Sequence, residues 1–401
     1  MNYSQTLAWL FKRLPMYQRV GAPAMRLGLD QINRLSAALG NPHHSFKCIH
    51  IAGTNGKGST AHMLASVLQT AGYTVGLYTS PHVKDFRERI KINGQPIDKN
   101  IVVDFVNENL ETLEAGNYSF FEATFGMAFS SFAKMQVDVA IIEVGLGGRL
   151  DATNIITPIL SIITHISKDH QQFLGNTVEA IATEKAGIIK ENVPVVLGQN
   201  KESVRNVILD KAKSLSSTVF FANQTETYAT DLLGDYQKEN LATAYMALQA
   251  LTEFDVNENH IREGLQAVVK NTGLQGRWQI IADSPTVIAD VAHNEAGIAA
   301  VMNQLQSMTY DQLHIVFGMV EDKDFKQIQQ YLPKDANYYF CSPKVVRAKA
   351  VDQLFAEANR FGYNGKPYAS VSDALNAAKT MASPSDIILI CGSLFVVAEV
   401  I

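Results

Sequence analysis

Hydrophobic positions fall into short, nearly continuous runs separated by longer stretches with helical spacing, the alternation of an α/β protein. Phe46-Lys47-Cys48-Ile49-His50-Ile51-Ala52 has the β-branched look of a strand, and Ala61, Leu64, Ala65, Val67, Leu68 and Ala71 then recur at helical spacing until Gly72. Ahead of this unit, residues 1 to about 40 predict two helices parted near Gly21-Ala22-Pro23. Beyond it the pattern predicts a strand at 73–79 and a hairpin from 88–92 turning at Asn93-Gly94. Helices at 98–114 and 122–135 lead to the most apolar strand, Val137 to Val144. Strands at 159–164, 193–197 and 218–222 and helices at 177–190, 235–251 and 259–269 complete this half. At Gly276-Arg277-Trp278-Gln279 the pattern restarts, with strands at 286–291, 313–317, 337–341 and 386–391. Two doubly wound domains are expected, 1–282 and 283–401, with sites at the carboxyl ends of strands and between the domains.

Composition changes this picture little. A hydrophobic content of 47% with 18% charged residues describes a protein able to bury a sizeable core. The net charge of −5 argues against broad nucleic-acid binding, and no window reaches the length of a membrane span. Cys48, Cys341 and Cys391 lie far apart without a CxxC, which predicts buried thiols in a reducing, cytoplasmic setting.

The chemistry is concentrated at strand ends. Gly53-Thr54-Asn55-Gly56-Lys57-Gly58-Ser59-Thr60 joins a strand to a helix. Its glycines let backbone N–H groups approach phosphates, the helix start adds positive potential, Lys57 neutralises charge and Ser59 can ligate magnesium. Its spacing departs from the common phosphate loop: only two residues separate Gly53 from Gly56, and Gly58 intervenes between Lys57 and Ser59. Ser80 and Glu143 follow the next strands, and Glu143 holds the place of a magnesium-associated acid or, alternatively, of an acid facing water. Gly145-Leu146-Gly147-Gly148-Arg149-Leu150-Asp151 lacks the third glycine of a dinucleotide fingerprint, so its glycines predict close approach to a second substrate. His165 and His170 lack zinc spacing; taken alone, His170 reads as structural and Lys185 as a solvated helix lysine. Asp290-Val291-Ala292-His293-Asn294 ends a strand with three polar residues.

Taken in order, these segments resemble the folylpolyglutamate synthase/dihydrofolate synthase family of the Mur ligase superfamily. The matching residues are Gly53 to Ser59, Thr79-Ser80-Pro81-His82, Phe86-Arg87-Glu88-Arg89, Glu143 to Asn154, Asp169-His170, Glu184 to Ile188, Gly276 to Gln279 and Asp290 to Asn294. The short phosphate loop is that superfamily's own form. The resemblance implies an N-terminal P-loop ATPase-like domain with a mainly parallel sheet and a smaller C-terminal Rossmann-like domain. It implies ATP on Thr54, Asn55, Gly56, Lys57, Gly58, Ser59, Asn240, Arg277 and Asp290, with Lys57, Arg277, His293 and Lys185 serving catalysis. Two magnesium ions would be held by Ser59, Ser80, Glu143, His170 and a carbamylated Lys185. Ser119, Phe121, Leu150, Asp151 and Ala152 match a pterin surface, although Phe120-Phe121 also suits a core, and Ser342 with Arg347 matches a carboxylate clamp. The expected activity is ATP-dependent addition of L-glutamate to dihydropteroate and to folates by a bifunctional bacterial-type enzyme, a monomer without nucleic-acid or membrane partners. A monofunctional synthase, or a small-molecule kinase or NTPase using the same loop, is the alternative.

Overall fold

The computed structural model describes residues 1–16, 28–223 and 228–401. The expected helix break near Gly21-Ala22-Pro23 lies outside the described residues. The chain packs as two compact units: the first gathers most of residues 1–231 with Gln237–Gly273, the second Leu232–Tyr236 with Leu274–Ile401. The second therefore begins ahead of residue 283. The reason is β9 (Gln279–Asp283), a half-exposed strand that the hydrophobic pattern does not reveal and that pairs antiparallel with β10 (Thr286–Ala289).

In the first unit, the described residues form an eight-stranded sheet ordered β4-β3-β2-β5-β1-β6-β7-β8. Its strands are β1 (Lys47–Ala52), β2 (Val75–Tyr78), β3 (Ile90–Ile92), β4 (Gln95–Pro96), β5 (Val139–Glu143), β6 (Leu160–Ile163), β7 (Val195–Leu197) and β8 (Val219–Phe221). Pairing is parallel except at β3 and β4. These two join at Asn93-Gly94, whose positive φ values of 48° and 72° suit the tight turn the sequence predicts. β1 lies between β5 and β6, so chain leaving its carboxyl end enters the crevice where the winding direction switches.

The helix Lys57–Thr70 follows β1, and every residue from Ser59 to Leu68 is buried. It packs on the sheet and beneath the helices Gln237–Ala250 and Glu258–Leu265. Gly264 permits that closeness, because a Cβ there would lie 2.6 Å from Val67 Cα. Elsewhere the predicted helices are trimmed or split. The stretch 98–114 breaks at Asn109 into Lys99–Glu108 and Leu110–Ala115, and 177–190 ends at Ala186.

The second sheet runs β13-β12-β11-β14-β10-β9 among the described residues, with β11 (Leu313–Phe317), β12 (Asn337–Cys341), β13 (Gly365–Tyr368) and β14 (Ile387–Cys391) parallel to β10. Apolar clusters cover both faces, one including Phe317, Phe325 and Phe340 and the other Val316, Leu375 and Ile390. No described helix is long and apolar enough to cross a membrane. All three cysteines are buried free thiols, as expected.

Candidate active site

Gly53 and Gly56 are required by their neighbours. A Cβ on Gly53 would sit 1.8 Å from Thr164 Oγ1, the hydroxyl that donates to Asn55 O at 2.7 Å. Gly56 has φ +88° at the helix start, and a Cβ there would meet Asn240 Oδ1 at 2.1 Å. Thr54 N donates to His165 O at 2.7 Å and Thr54 Oγ1 to Ser167 O at 3.0 Å, tying the loop to the chain beyond β6. Lys57 Nζ folds back over the loop and donates to Gly53 O and Thr54 O, both at 3.1 Å. Gly58 O accepts from His62 Nδ1 at 2.7 Å, and Ser59 is buried on the first turn. Asn240 donates through Nδ2 to Gln237 Oε1 at 2.8 Å, which fixes the amide against Gly56. The unusual glycine spacing is thus the footprint of Thr164 and Asn240.

Next to this loop, Glu143 closes β5, is 5% exposed, and accepts from Ser80 N at 3.1 Å through Oε2. Lys185 is 4% exposed, so the reading of that residue as a solvated lysine is corrected. Burial first, then the Lys57 charge, pushes its ammonium down to about 7, against the opposing pull of Asp169 and Asp151. His170 starts the short helix Gln171–Leu174 with φ +49°, and its N–H donates to Asp169 Oδ1 at 2.8 Å. No three His, Cys, Asp or Glu side chains cluster as a metal site among the described residues. The Glu143 carboxylate and the Ser59 and Ser80 hydroxyls are nonetheless hard oxygen donors that suit a magnesium-type ion sharing phosphate ligands.

Two further charged residues, Arg89 and Asp169, had no assigned role in the sequence. Arg89 immediately precedes β3, and its carbonyl accepts from Thr79 N, just beyond β2, at 3.1 Å. It is 3% exposed, donates from Nε to His82 Nδ1 at 2.8 Å, and lies 5.3 Å from the centre of the Phe120 ring. The signal was present: a short charged motif, Phe86-Arg87-Glu88-Arg89, leading into an apolar strand. Asp169 is the other: its carboxylate lies 3.9 Å from His170 Nε2, and its charge acts on Lys185.

The expected acceptor surface divides into contact and support. Ser119 caps the helix Phe120–Lys134: its hydroxyl donates to Glu122 Oε2 at 2.8 Å and accepts from Glu122 N at 3.2 Å. Phe120 is core, whereas Phe121 is half-buried, with its ring 5.8 Å from that of Tyr78. Asp151 is buried and its carboxylate is taken up by its own loop, accepting from Leu146 N at 2.8 Å and from Thr153 N at 3.0 Å and Oγ1. Leu150 is half-buried and Ala152 buried beside it. The glycines here serve packing within the unit. A Cβ on Gly145 would strike Phe121 at 2.6 Å, and one on Gly148 would lie 2.9 Å from Glu184 O and 3.0 Å from Lys185 O. They press this loop onto the Phe121 ring and onto the helix Val178–Ala186, which is what buries Lys185.

In the second unit, the motifs at Arg277 and His293 are joined through Asp290. Its Oδ2 accepts from Tyr236 Oη at 2.5 Å and Trp278 N at 2.8 Å, and its Oδ1 from Ala292 N at 2.8 Å. Burial raises its pKa, while these donors and Arg277 oppose the rise. Trp278, buried with φ +48°, is held in the left-handed region by this bond, and Val291 N donates to Gly276 O at 3.0 Å. Asp290, expected on the nucleoside, also ties two loops of this unit together. Arg277 and His293 remain half-exposed, with His293 Nδ1 2.9 Å from Val291 O. Ser342 Oγ donates to Lys349 O at 3.1 Å and Arg347 Nη1 to Asp322 Oδ1 at 2.8 Å.

Two α/β units, a short glycine loop and an acid at the end of the neighbouring strand define a Mur-type ligase. Residues 51–253 match the Mur ligase middle domain and residues 276–394 the Mur ligase, glutamate ligase domain. The chain is 32% identical to the dihydrofolate synthase/folylpolyglutamate synthase of Bacillus subtilis, over 99% of this chain and 98% of that protein. It is 34% identical to a probable bifunctional folylpolyglutamate synthase/dihydropteroate synthase of Haloferax volcanii, and spans half the length of that relative. Escherichia coli FolC in complex with DHPP and ADP superposes with a TM-score of 0.88 at 31% identity, covering 100% of this chain and 97% of that one. A bifunctional folylpolyglutamate synthase/dihydrofolate synthase with Mn, AMPPNP and L-glutamate bound gives a TM-score of 0.85 at 29% identity, covering 100% and 97%. The chain belongs to the folylpolyglutamate synthase/dihydrofolate synthase family of ATP-dependent ligases.

Proposed function

We propose that this chain condenses L-glutamate with the carboxylate of dihydropteroate and with the terminal glutamate of folates, at the expense of ATP. The observation that supports this best is the grouping, in one unit, of the phosphate loop, Glu143 and a buried Lys185 beside Lys57. A carboxylate oxygen of the acceptor attacks the γ-phosphorus, the bond to the ADP oxygen breaks, and an acyl phosphate forms. The glutamate amine then adds to the acyl carbon, loses a proton, and phosphate departs as the amide closes. Two anions must meet in the first step, so neutralisation by Lys57, Arg277 and His293 is the chain's principal contribution. Phe121, Leu150 and Ala152 offer a flat pterin one aromatic and two aliphatic surfaces. Ser119 and Asp151 hold that surface in shape.

Magnesium, when bound by Ser59, Ser80, Glu143 and His170, would shield phosphate charge and polarise the γ-phosphoryl group. Lys185 completes this set as a carbamate. Burial keeps a substantial neutral fraction of its amine near pH 7, and adding carbon dioxide to that nitrogen creates an anionic oxygen ligand.

The test is incorporation of radiolabelled glutamate with ATP and either dihydropteroate or a reduced folate. Amide formation matched by ADP and phosphate is expected with both acceptors. Incorporation into folates alone would restrict the chain to polyglutamylation, and a phosphorylated acceptor without amide would make it a kinase. A carbamate carbon signal on Lys185 in 13CO2-equilibrated protein, absent from Lys185→Met, is the expected sign of the modification.

A further inference from the structure

His50 lies in the middle of β1, fully buried, three residues before Gly53. Its register partners are Ile142 on β5 and Ser161 on β6, and an aliphatic side chain would fill the same space without desolvating an imidazole. Its Nε2 lies 2.8 Å from Thr153 Oγ1, and that hydroxyl donates its single proton to Asp151 Oδ1. The hydroxyl must therefore accept from His50 Nε2–H, which leaves His50 Nδ1 as the unprotonated nitrogen, buried and without a partner. Asp151 in turn holds the N–H groups of Leu146 and Thr153 at the two ends of the segment carrying Leu150 and Ala152. A continuous chain of hydrogen bonds thus runs from the strand that delivers the phosphate loop to the loop assigned above to the acceptor.

We propose that His50 is a positioning residue that registers the acceptor loop to the nucleotide strand, through Thr153 and Asp151. The inference rests on the ligase reading of that loop. Its value is geometric: the acceptor carboxylate and the γ-phosphate are referred to one rigid strand, and small misplacements of reacting groups are costly. His50 itself touches neither substrate.

The experiment pairs steady-state kinetics with amide hydrogen exchange on the full chain. His50→Leu is expected to raise KM for the pteroate or folate acceptor by about tenfold, the scale of one lost buried hydrogen bond and the strain it releases. KM for ATP should stay within about twofold. His50→Gln, which keeps a donor near the Nε2 position, should recover most of the loss. Thr153→Val should reproduce the effect and Thr153→Ser should not, and the His50→Leu/Thr153→Val pair should be no worse than either single change. If His50→Leu fails to fold, the two Thr153 variants carry the kinetic test. Exchange at the Leu146 and Thr153 amides should accelerate in His50→Leu and Thr153→Val without any substrate. An unchanged acceptor KM with unchanged exchange would overturn the inference, as would equal rises in both KM values with no rescue by Gln. Wild-type protein inactive on every pteroate and folate would sink the ligase reading instead, with the exchange comparison still deciding whether His50 holds the loop.

Discussion

After β1 the chain turns through Gly53 and Gly56, and the polar groups it gathers face outward: a lysine over backbone carbonyls and a helix start. After β10 it turns around Asp290, and the polar group it gathers faces inward, both carboxylate oxygens held by Tyr236, Trp278 and Ala292. Both turns follow parallel strands and both carry family motifs. The first keeps its shape by omitting side chains, so Thr164 and Asn240 can close on it. The second keeps its shape by burying an acid, and Arg277 and His293 beside it stay half-exposed. A motif's most polar residue can thus also serve its own fold.

The largest effect is expected from Lys57→Ala, which removes the charge neutralisation proposed for the first step. kcat/KM for ligation should fall by at least about 10³-fold, with the thermal midpoint little changed. Ligation persisting near the wild-type rate would break the contrast, because the outward loop would then be structural too. Next comes Asp290→Asn. An amide has one acceptor oxygen and cannot serve Trp278 N and Ala292 N from both sides. Urea unfolding should show a loss of about 1–3 kcal/mol. A stable Asp290→Asn variant with a large rise in ATP KM alone would make the nucleoside, and not the loops, its main partner. Gly56→Ala should cost about 1–2 kcal/mol from left-handed backbone alone, before Asn240 is displaced, and should raise the ATP KM.

The smallest effect sharpens the contrast within the second unit. Asp386, before β14, accepts from Ser383 N at 2.6 Å and Gln312 N at 3.0 Å, and lies 3.4 Å from His314 Nε2. Its pKa is lowered, first by the Ser383 N–H. A carboxylate below its unfolded value adds stability above about pH 3.8, and that stability is lost as pH falls through the folded value. Asp386→Asn should therefore lower the thermal midpoint modestly at pH 6 and converge on wild type in stronger acid. Asp290, whose pKa is raised by burial, has the opposite sign: its ionisation takes stability away as pH rises.

Long apolar strands and their trailing polar residues were legible in the sequence because periodicity and local turn chemistry determine them. β1, β5, β6, β11, β12 and β14 fall within a residue or two of the reading, and Asn93-Gly94 makes its turn. β9 was not legible, being half-exposed, nor was β13, an edge strand containing Gly365 and Pro367. The burial of Lys185 was hidden because it depends on Gly148 and Gly187, which let the loop and helix ends approach; a Cβ on Gly187 would lie 2.4 Å from Arg149 Cα. The inward role of Asp290 was hidden because its donors come from residues 236 and 278, far apart in the chain.

The short segment Leu232–Tyr236 belongs to the second unit although the residues on both sides of it belong to the first. Anyone wishing to express the smaller unit alone would naturally cut before Leu274, and would discard the Tyr236 hydroxyl on Asp290 and the Asp235 N–H bond to Gln304 Oε1 at 2.7 Å. Such a fragment would begin life with a broken clasp. A circular permutant that carries those five residues on the new carboxyl terminus, or a synthetic peptide of the same sequence added in trans, would be the sounder route to dissecting the enzyme.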